Sequence, residues 1–397
     1  MKKQLHVRFR VTAVICLLLC CVIACREKYV PQLINEPTTG YVVVDGFINS
    51  GVGPTTISLS RSTKLSAAAT IVRETKATVR VVGKINTTGF LLTETGTNTG
   101  IYTNPQLTLS PTDQYRLYIK TTAGKEYYSD YSDVRSTPDI DSVSWRVENG
   151  GVQIYANTHN TQSSPGFYQF KYEETWEFHS TYQSFLKIYN DALGFPHHVG
   201  FRDSGTYSFD NSLYQCWKTV IPTNILVYST EKLTSNLVSL YPLVFIEPGS
   251  WKLGIRYSII LKSYYTSREN YRFLEQLRKN TEQLGSIFDA QPSETIGNIH
   301  NPANIAEPVI GFIEITEEKQ KRIFIDNSQV RFWTYRNVCE PEFIVANVPD
   351  SLLGISGIPT TVYSFAFNGS SIAKANFAGS GCVDCTTRGT NKKPVFW

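Results

Sequence analysis

The stretch Tyr41-Val42-Val43-Val44-Asp45-Gly46-Phe47-Ile48 decides the fold class. β-Branched and aromatic residues crowd it, and the same kind of run recurs downstream. Ile57 and Leu59 alternate with serines, Val79 and Val81 with Thr78 and Arg80, and Tyr115, Leu117 and Ile119 with polar positions. Period two repeated this often means a half-buried antiparallel sheet. Gly51-Val52-Gly53-Pro54, Asn86-Thr87-Thr88-Gly89 and Ala123-Gly124-Lys125 supply the turns. About seven short strands in about a hundred residues predict a β-sandwich of immunoglobulin or prealbumin type, over residues 39–137. Ser136-Thr137-Pro138-Asp139 breaks the pattern and marks the boundary to a larger β-rich domain, 138–397. There Ile140 to Val147 and Val152 to Tyr155 resume the alternation around an Asn149-Gly150 turn. This second domain carries one amphipathic helix. Thr266-Ser267-Arg268-Glu269 reads as its capping box, Tyr271, Phe273, Leu274, Leu277 and Leu284 as its apolar face, and Gly285 as its C-terminal stop.

The first 24 residues have the anatomy of a lipoprotein signal peptide. Lys2, Lys3, Arg8 and Arg10 precede an uncharged, mostly apolar run from Val11 to Ala24, which ends in Val22-Ile23-Ala24-Cys25. The run is too short to cross a hydrocarbon core that needs about 20 residues. Cys25 is therefore the expected lipidation site and first mature residue, and 25–38 the lipidated tether. Taking the leader's four basic residues from the 38 Lys and Arg leaves 34, against 34 Asp and Glu. The mature chain is neutral, with no basic run to follow a phosphate backbone, so nucleic acid is excluded as the expected partner.

Eight cysteines are present, of which Cys16, Cys20 and Cys21 leave with the leader and Cys25 is acylated. Cys216, Cys339, Cys382 and Cys385 remain, and in an exported protein they read as two disulfides of undetermined connectivity. Cys382-Val383-Asp384-Cys385 also has the spacing of a redox or half-zinc motif, but the compartment favours structural pairing. Glu173, Glu174 and Glu177 are the candidate catalytic carboxylates, since paired acids are the equipment of glycoside hydrolysis. On a strand Glu173 and Glu177 share a face with Thr175, while Glu174 sits with Trp176 and Phe178. The bland alternative is a solvated strand face with one tucked acid. His197-His198 sits in a loop after Phe195-Pro196, and adjacent side chains of extended backbone point apart, which opposes joint metal ligation. No nucleophile elbow, zinc-protease helix, phosphate loop or dinucleotide fingerprint appears, so neither cofactor nor metal is expected.

Several segments together carry a family resemblance. These are the leader, Val43-Val44-Asp45-Gly46-Phe47-Ile48, Glu173-Glu174-Thr175-Trp176-Glu177-Phe178, Cys216-Trp217, Ile287-Phe288-Asp289-Ala290-Gln291-Pro292-Ser293, Gly297-Asn298-Ile299, Lys321-Arg322-Ile323-Phe324-Ile325, and the end from Cys382 to Trp397. In order and spacing they resemble the Bacteroidota lipoproteins grouped as domain of unknown function 4249. The resemblance implies an outer-membrane lipoprotein, often encoded beside a TonB-dependent receptor. It implies a location and a partner, not a reaction. Cys25 is followed by Arg26-Glu27-Lys28, with one acid where surface export is associated with several, which leaves the periplasmic and extracellular faces both open.

The expected function is thus an accessory lipoprotein, anchored by the lipid on Cys25, that captures or gates a ligand for a TonB-dependent transporter. A surface hydrolase acting on a glycan or peptide before uptake, and a purely structural envelope protein, are the alternatives; catalysis is the minority reading. Ligand, oligomeric state and disulfide pairing are not written in the sequence. The apolar end Pro394-Val395-Phe396-Trp397 is expected to fill a core edge of the second domain, with docking into a receptor as its rival reading. Replacing Cys25 by Ser should release the protein from membranes. Retention of C25S in the membrane pellet after a high-salt wash would show the anchor to be misread.

Overall fold

The computed structural model describes residues 40–63, 71–161, 165–202, 209–282, 295, 297–336, 338–367, 369 and 371–397. The leader, Cys25, the tether, Leu284, Gly285 and the 287–293 motif lie outside these residues. The opening stretch forms the strand Val42–Asn49, antiparallel to Thr55–Arg61. Alternation places Val42, Val44, Ile48, Ile57 and Leu59 in the core, as it does Val79, Val81, Tyr115, Leu117 and Ile119 on later strands. The chain is mainly β.

The strands of the first module follow one hydrogen-bonded order: Ile299–His300, Glu126–Ser129, Gln114–Lys120, Thr78–Gly83, Phe90–Glu94, Ile101–Asn104, Thr55–Arg61, Val42–Asn49 and Val309–Ile310. Both outer positions come from one returning segment far along the chain, which nearly closes the sheet. The chain therefore leaves this sheet near residue 137 and comes back to it after Asn298. Ile299, Val309, Ile313 and Ile315 join the core built by residues 42–127.

The return depends on close backbone approach. Gly311 has φ +141°, and a Cβ there would meet the Val44 carbonyl at 2.2 Å; a Cβ on Gly297 would meet the Gly311 carbonyl at 1.7 Å. Only glycine fits such crossings. Beside them the Asn298 side chain imitates a strand neighbour, donating to the Ile313 carbonyl at 2.8 Å and accepting from the Ile313 N–H at 2.9 Å.

Residues 140–333 build a second core between two sheets. One consists of Ile140–Glu148, Gly151–His159 and Leu237–Ile246. The other has Gln215–Val220, Phe167–His179, Arg256–Thr266 and Lys319–Asp326 side by side, with Leu226–Ser229 also on Phe167–His179. Ile154, Phe170, Trp176, Tyr257 and Leu261 meet between them. The Asn149-Gly150 turn has positive φ at both residues, as a tight hairpin requires. A smaller third core joins the hairpin Leu186–Asn190 and Pro196–Phe201 to the sheet of Phe343–Ala346, Ile372–Ala378 and Ile358–Phe365.

The helix runs from Arg268 to Glu282, with Phe273 buried and Lys279 reaching Glu275 across one turn. Its cap differs from the expected box by one residue. Ser267 Oγ, not Thr266, accepts the N–H three residues on, that of Asn270, at 3.1 Å. The carboxylate that completes the cap is not Glu269 but Glu314, from the returning segment.

Glu314 is 3% exposed. It accepts from the Ser267 N–H at 2.7 Å, the Asn270 amide at 3.0 Å and the Thr266 hydroxyl, and pairs with Arg135 Nε at 3.2 Å. A buried carboxylate is tolerated only with such a full set of donors, and an anion at a helix N-terminus is favoured besides. Next to it Thr137 Oγ1 accepts from the Tyr265 N–H at 3.0 Å, while Thr316 donates to the Tyr265 carbonyl at 2.8 Å. Replacing Glu314 by Leu should destabilise the protein by about 3 to 5 kcal/mol, because the buried donors lose their acceptor. Urea unfolding of E314L measures this; a loss below about 1 kcal/mol would show the carboxylate to be dispensable to the junction.

Candidate functional site

The strand Phe167–His179 sorts the three candidate acids by face. Glu174 points inward with Trp176 and Phe178 and is 2% exposed. Its carboxylate takes Lys252 Nζ at 2.8 and 2.9 Å and the Tyr257 hydroxyl at 2.8 Å. Lys252 also lies 5.3 Å from the Trp176 ring centroid. Burial, and then the adjacent Glu174 charge, hold the Tyr257 hydroxyl far above its ordinary pKa, so it donates and does not ionise. Glu174 is thus a buried core group held by Lys252 and Tyr257.

Glu173 and Glu177 occupy the outer face. Glu173 pairs with Lys262. Glu177 accepts from Gln215 Nε2 at 2.6 Å and the Trp397 indole N–H at 3.1 Å, and lies 3.2 Å from His179 Nε2. Burial alone pushes its carboxyl up, but the hydrogen bonds from His179, Gln215 and Trp397 outweigh that and hold it below its ordinary value of 4.5. Four residues at a strand rise of about 3.3 Å separate Glu173 from Glu177 by roughly 13 Å. Retaining and inverting glycosidases hold their two carboxyls about 5 to 9.5 Å apart.

Two disulfides hold the C-terminal segment, Cys216 with Cys385, both buried in the second core, and Cys339 with Cys382. The Cys382 and Cys385 sulfurs thus go to different partners, and among the described residues no three His, Cys, Asp or Glu side chains gather as a metal site. Trp217 and Thr390 exchange backbone hydrogen bonds at 2.8 and 2.9 Å, adding the tail to the sheet edge. The last four residues do not fill a core edge as expected. Val395 is fully exposed and Phe396 is 42% exposed, lying over the Arg322 guanidinium at 3.5 Å. Trp397 packs edge-on to Phe324 at 5.6 Å, because the sheet's outer face offers charged groups and one ring and not a cavity. His197 and His198 lie on a strand and not in a loop, and their Nδ1 atoms approach to 3.0 Å although both are exposed, as His198 stacks on Tyr189.

Concave surface lies elsewhere, along the seam between the first sheet and the outer face of the five-stranded sheet. A cavity of about 160 Å³ is walled by Phe47, Phe273, Leu274, Leu277 and Phe312, with Lys171 and Glu314 among its polar groups. A second, of about 270 Å³, adjoins it at Phe47, Lys171 and Tyr264 and adds Glu173, Lys262 and Glu318. Over residues 26–322 the sequence matches the family described as Domain of unknown function (DUF4249). The chain belongs to the DUF4249 family. No curated protein matches the DUF4249 chain. Among solved structures it is similar to the FN1–FN3 domains of chicken CNTN1, at 15% identity and a TM-score of 0.18, over 57% of this chain and 62% of that one. It is also similar to a proposed carbohydrate binding protein from Bacteroides uniformis ATCC 8492, at 9% identity and a TM-score of 0.14, over 57% of this chain and 90% of that one. Scores this low carry no argument about fold or function.

Sequence reasoning missed Lys171, Lys252, Tyr264, Glu314 and Glu318 of the DUF4249 chain. One signal was present for Glu314: it is a lone acid in the otherwise uncharged run Val309-Ile310-Gly311-Phe312-Ile313-Glu314-Ile315, and a continuous apolar run indicates burial on both faces. The Glu177 contacts make a prediction for this DUF4249 protein. A folded carboxyl held below 4.5 contributes stability that is fully present above that pH and is lost as pH falls through the lower, folded value. Acidification below 4.5 should therefore release Trp397 and change its fluorescence, and Glu177→Gln should abolish that step. A pH-independent Trp397 signal would contradict the contact.

Proposed function

We propose that this protein is a non-catalytic accessory lipoprotein of the outer membrane, held by lipid on Cys25, that captures or gates a ligand for a TonB-dependent transporter. The observation that carries the reading is the state of its three candidate acids. Each is committed to a structural partner, Glu173 to Lys262, Glu174 to Lys252 and Tyr257, and Glu177 to Gln215, His179 and Trp397. None is left to serve as general acid or base, while a cleft with apolar and charged walls remains for binding. Ile344, Leu353, Tyr363 and Phe367, exposed around the sheet of Phe343–Ala346, Ile358–Phe365 and Ile372–Ala378, add apolar surface of the kind interfaces use. The sixteen residues between Cys25 and Val42 reach at most roughly 55 Å, enough to place the body beside a barrel in the same membrane.

Affinity purification of the tagged, lipidated protein from its native outer membrane, in mild detergent, tests this. A β-barrel receptor should co-purify in stoichiometric amount. Its absence, under conditions that keep other outer-membrane complexes intact, would contradict the reading.

A further inference from the structure

The two seam cavities differ in chemistry. The smaller is apolar where the helix contributes Phe273, Leu274 and Leu277, and at about 160 Å³ it matches an engineered cavity of about 150 Å³ that binds benzene. The larger is lined by charge. Lys262 there is committed to Glu173. Lys171 is exposed and, among the described residues, has no ion-pair partner. Glu318 accepts from the Tyr264 hydroxyl and the Gln320 amide and, among the described residues, meets no cation. Two opposite charges thus line one cavity without reaching each other.

We propose that the seam binds a zwitterion of the amino-acid or short-peptide class, its carboxylate on Lys171, its ammonium on Glu318 and one apolar side chain in the smaller cavity. The proposal deepens the ligand-capture reading and rests on it. A neutral saccharide would leave both charges unanswered. Phe47 and Tyr264, which line both cavities, pack edge-on against each other at 4.7 Å and so present no shared stacking face to a sugar ring. Charge-assisted contacts at both ends of the ligand supply orientation, and the apolar cavity supplies selection by side chain.

Calorimetric titration of the full mature chain with the dipeptide Phe-Leu, its N-acetyl form and its C-terminal amide tests the site. Phe-Leu should bind saturably, and each capped form at least about tenfold more weakly. Lys171→Gln should weaken Phe-Leu at least about tenfold while leaving the amide unchanged, and Glu318→Gln should do the same with respect to the N-acetyl form. Equal affinity for free and capped dipeptides, or no saturable heat at about 1 mM Phe-Leu, would overturn the proposal. The capped probes decide the matter on the wild-type chain should a variant fold poorly. A receptor that co-purifies while Phe-Leu fails to bind would sink this site and leave the transporter reading standing.

Discussion

A carboxyl group with almost no exposure must be surrounded by donors, because a buried polar group without partners is costly. Glu314 is that group, and the chain is arranged around it. Its donors are Arg135 at the end of the first sheet, and Thr266, Ser267 and Asn270 at the start of the helix. Its flanking residues Ile313 and Ile315 sit in the first core. One side chain thus links the exit from the first sheet, the helix N-terminus and the segment that completes the sheet. The helix in turn supplies the apolar wall of the seam cavity, so the candidate site exists because this junction does.

What was legible in the sequence was what repeats locally. Alternation located Val42–Asn49, Gln114–Lys120 and Gly151–His159, and Asn149-Gly150 announced its own hairpin. The face assignment of Glu173, Glu174 and Glu177 followed from the same period of two. The return of Ile299–His300 and Val309–Ile310 to the first sheet was not legible, because two-residue strands carry no period and their partners lie far back in the chain. For the same reason spacing points to Glu269 for the helix cap, whereas the distant Glu314 carboxylate takes the Ser267 N–H. Disulfide partners and the resting place of Phe396 and Trp397 are likewise set by tertiary geometry, which local pattern does not record.

The acids most suggestive of chemistry in the sequence turn out to be structural in the fold. Glu174 holds Lys252 under the Trp176 ring, and Glu177 holds the chain end through the Trp397 indole. Two disulfides keep that end in place; closing long loops contributes roughly 3 to 5 kcal/mol each in the chain-entropy account. The charges left over, Lys171 and Glu318, were inconspicuous in sequence and became meaningful only when the fold set them on one cavity.

The Glu314 junction and the returning segment join the first sheet to the rest, and residues 42–397 are expected to unfold together. Differential scanning calorimetry of residues 26–397 with the disulfides intact tests this most directly. One transition is expected, with calorimetric and van't Hoff enthalpies in agreement. Two resolved transitions, with the first sheet melting apart from the second core, would contradict it.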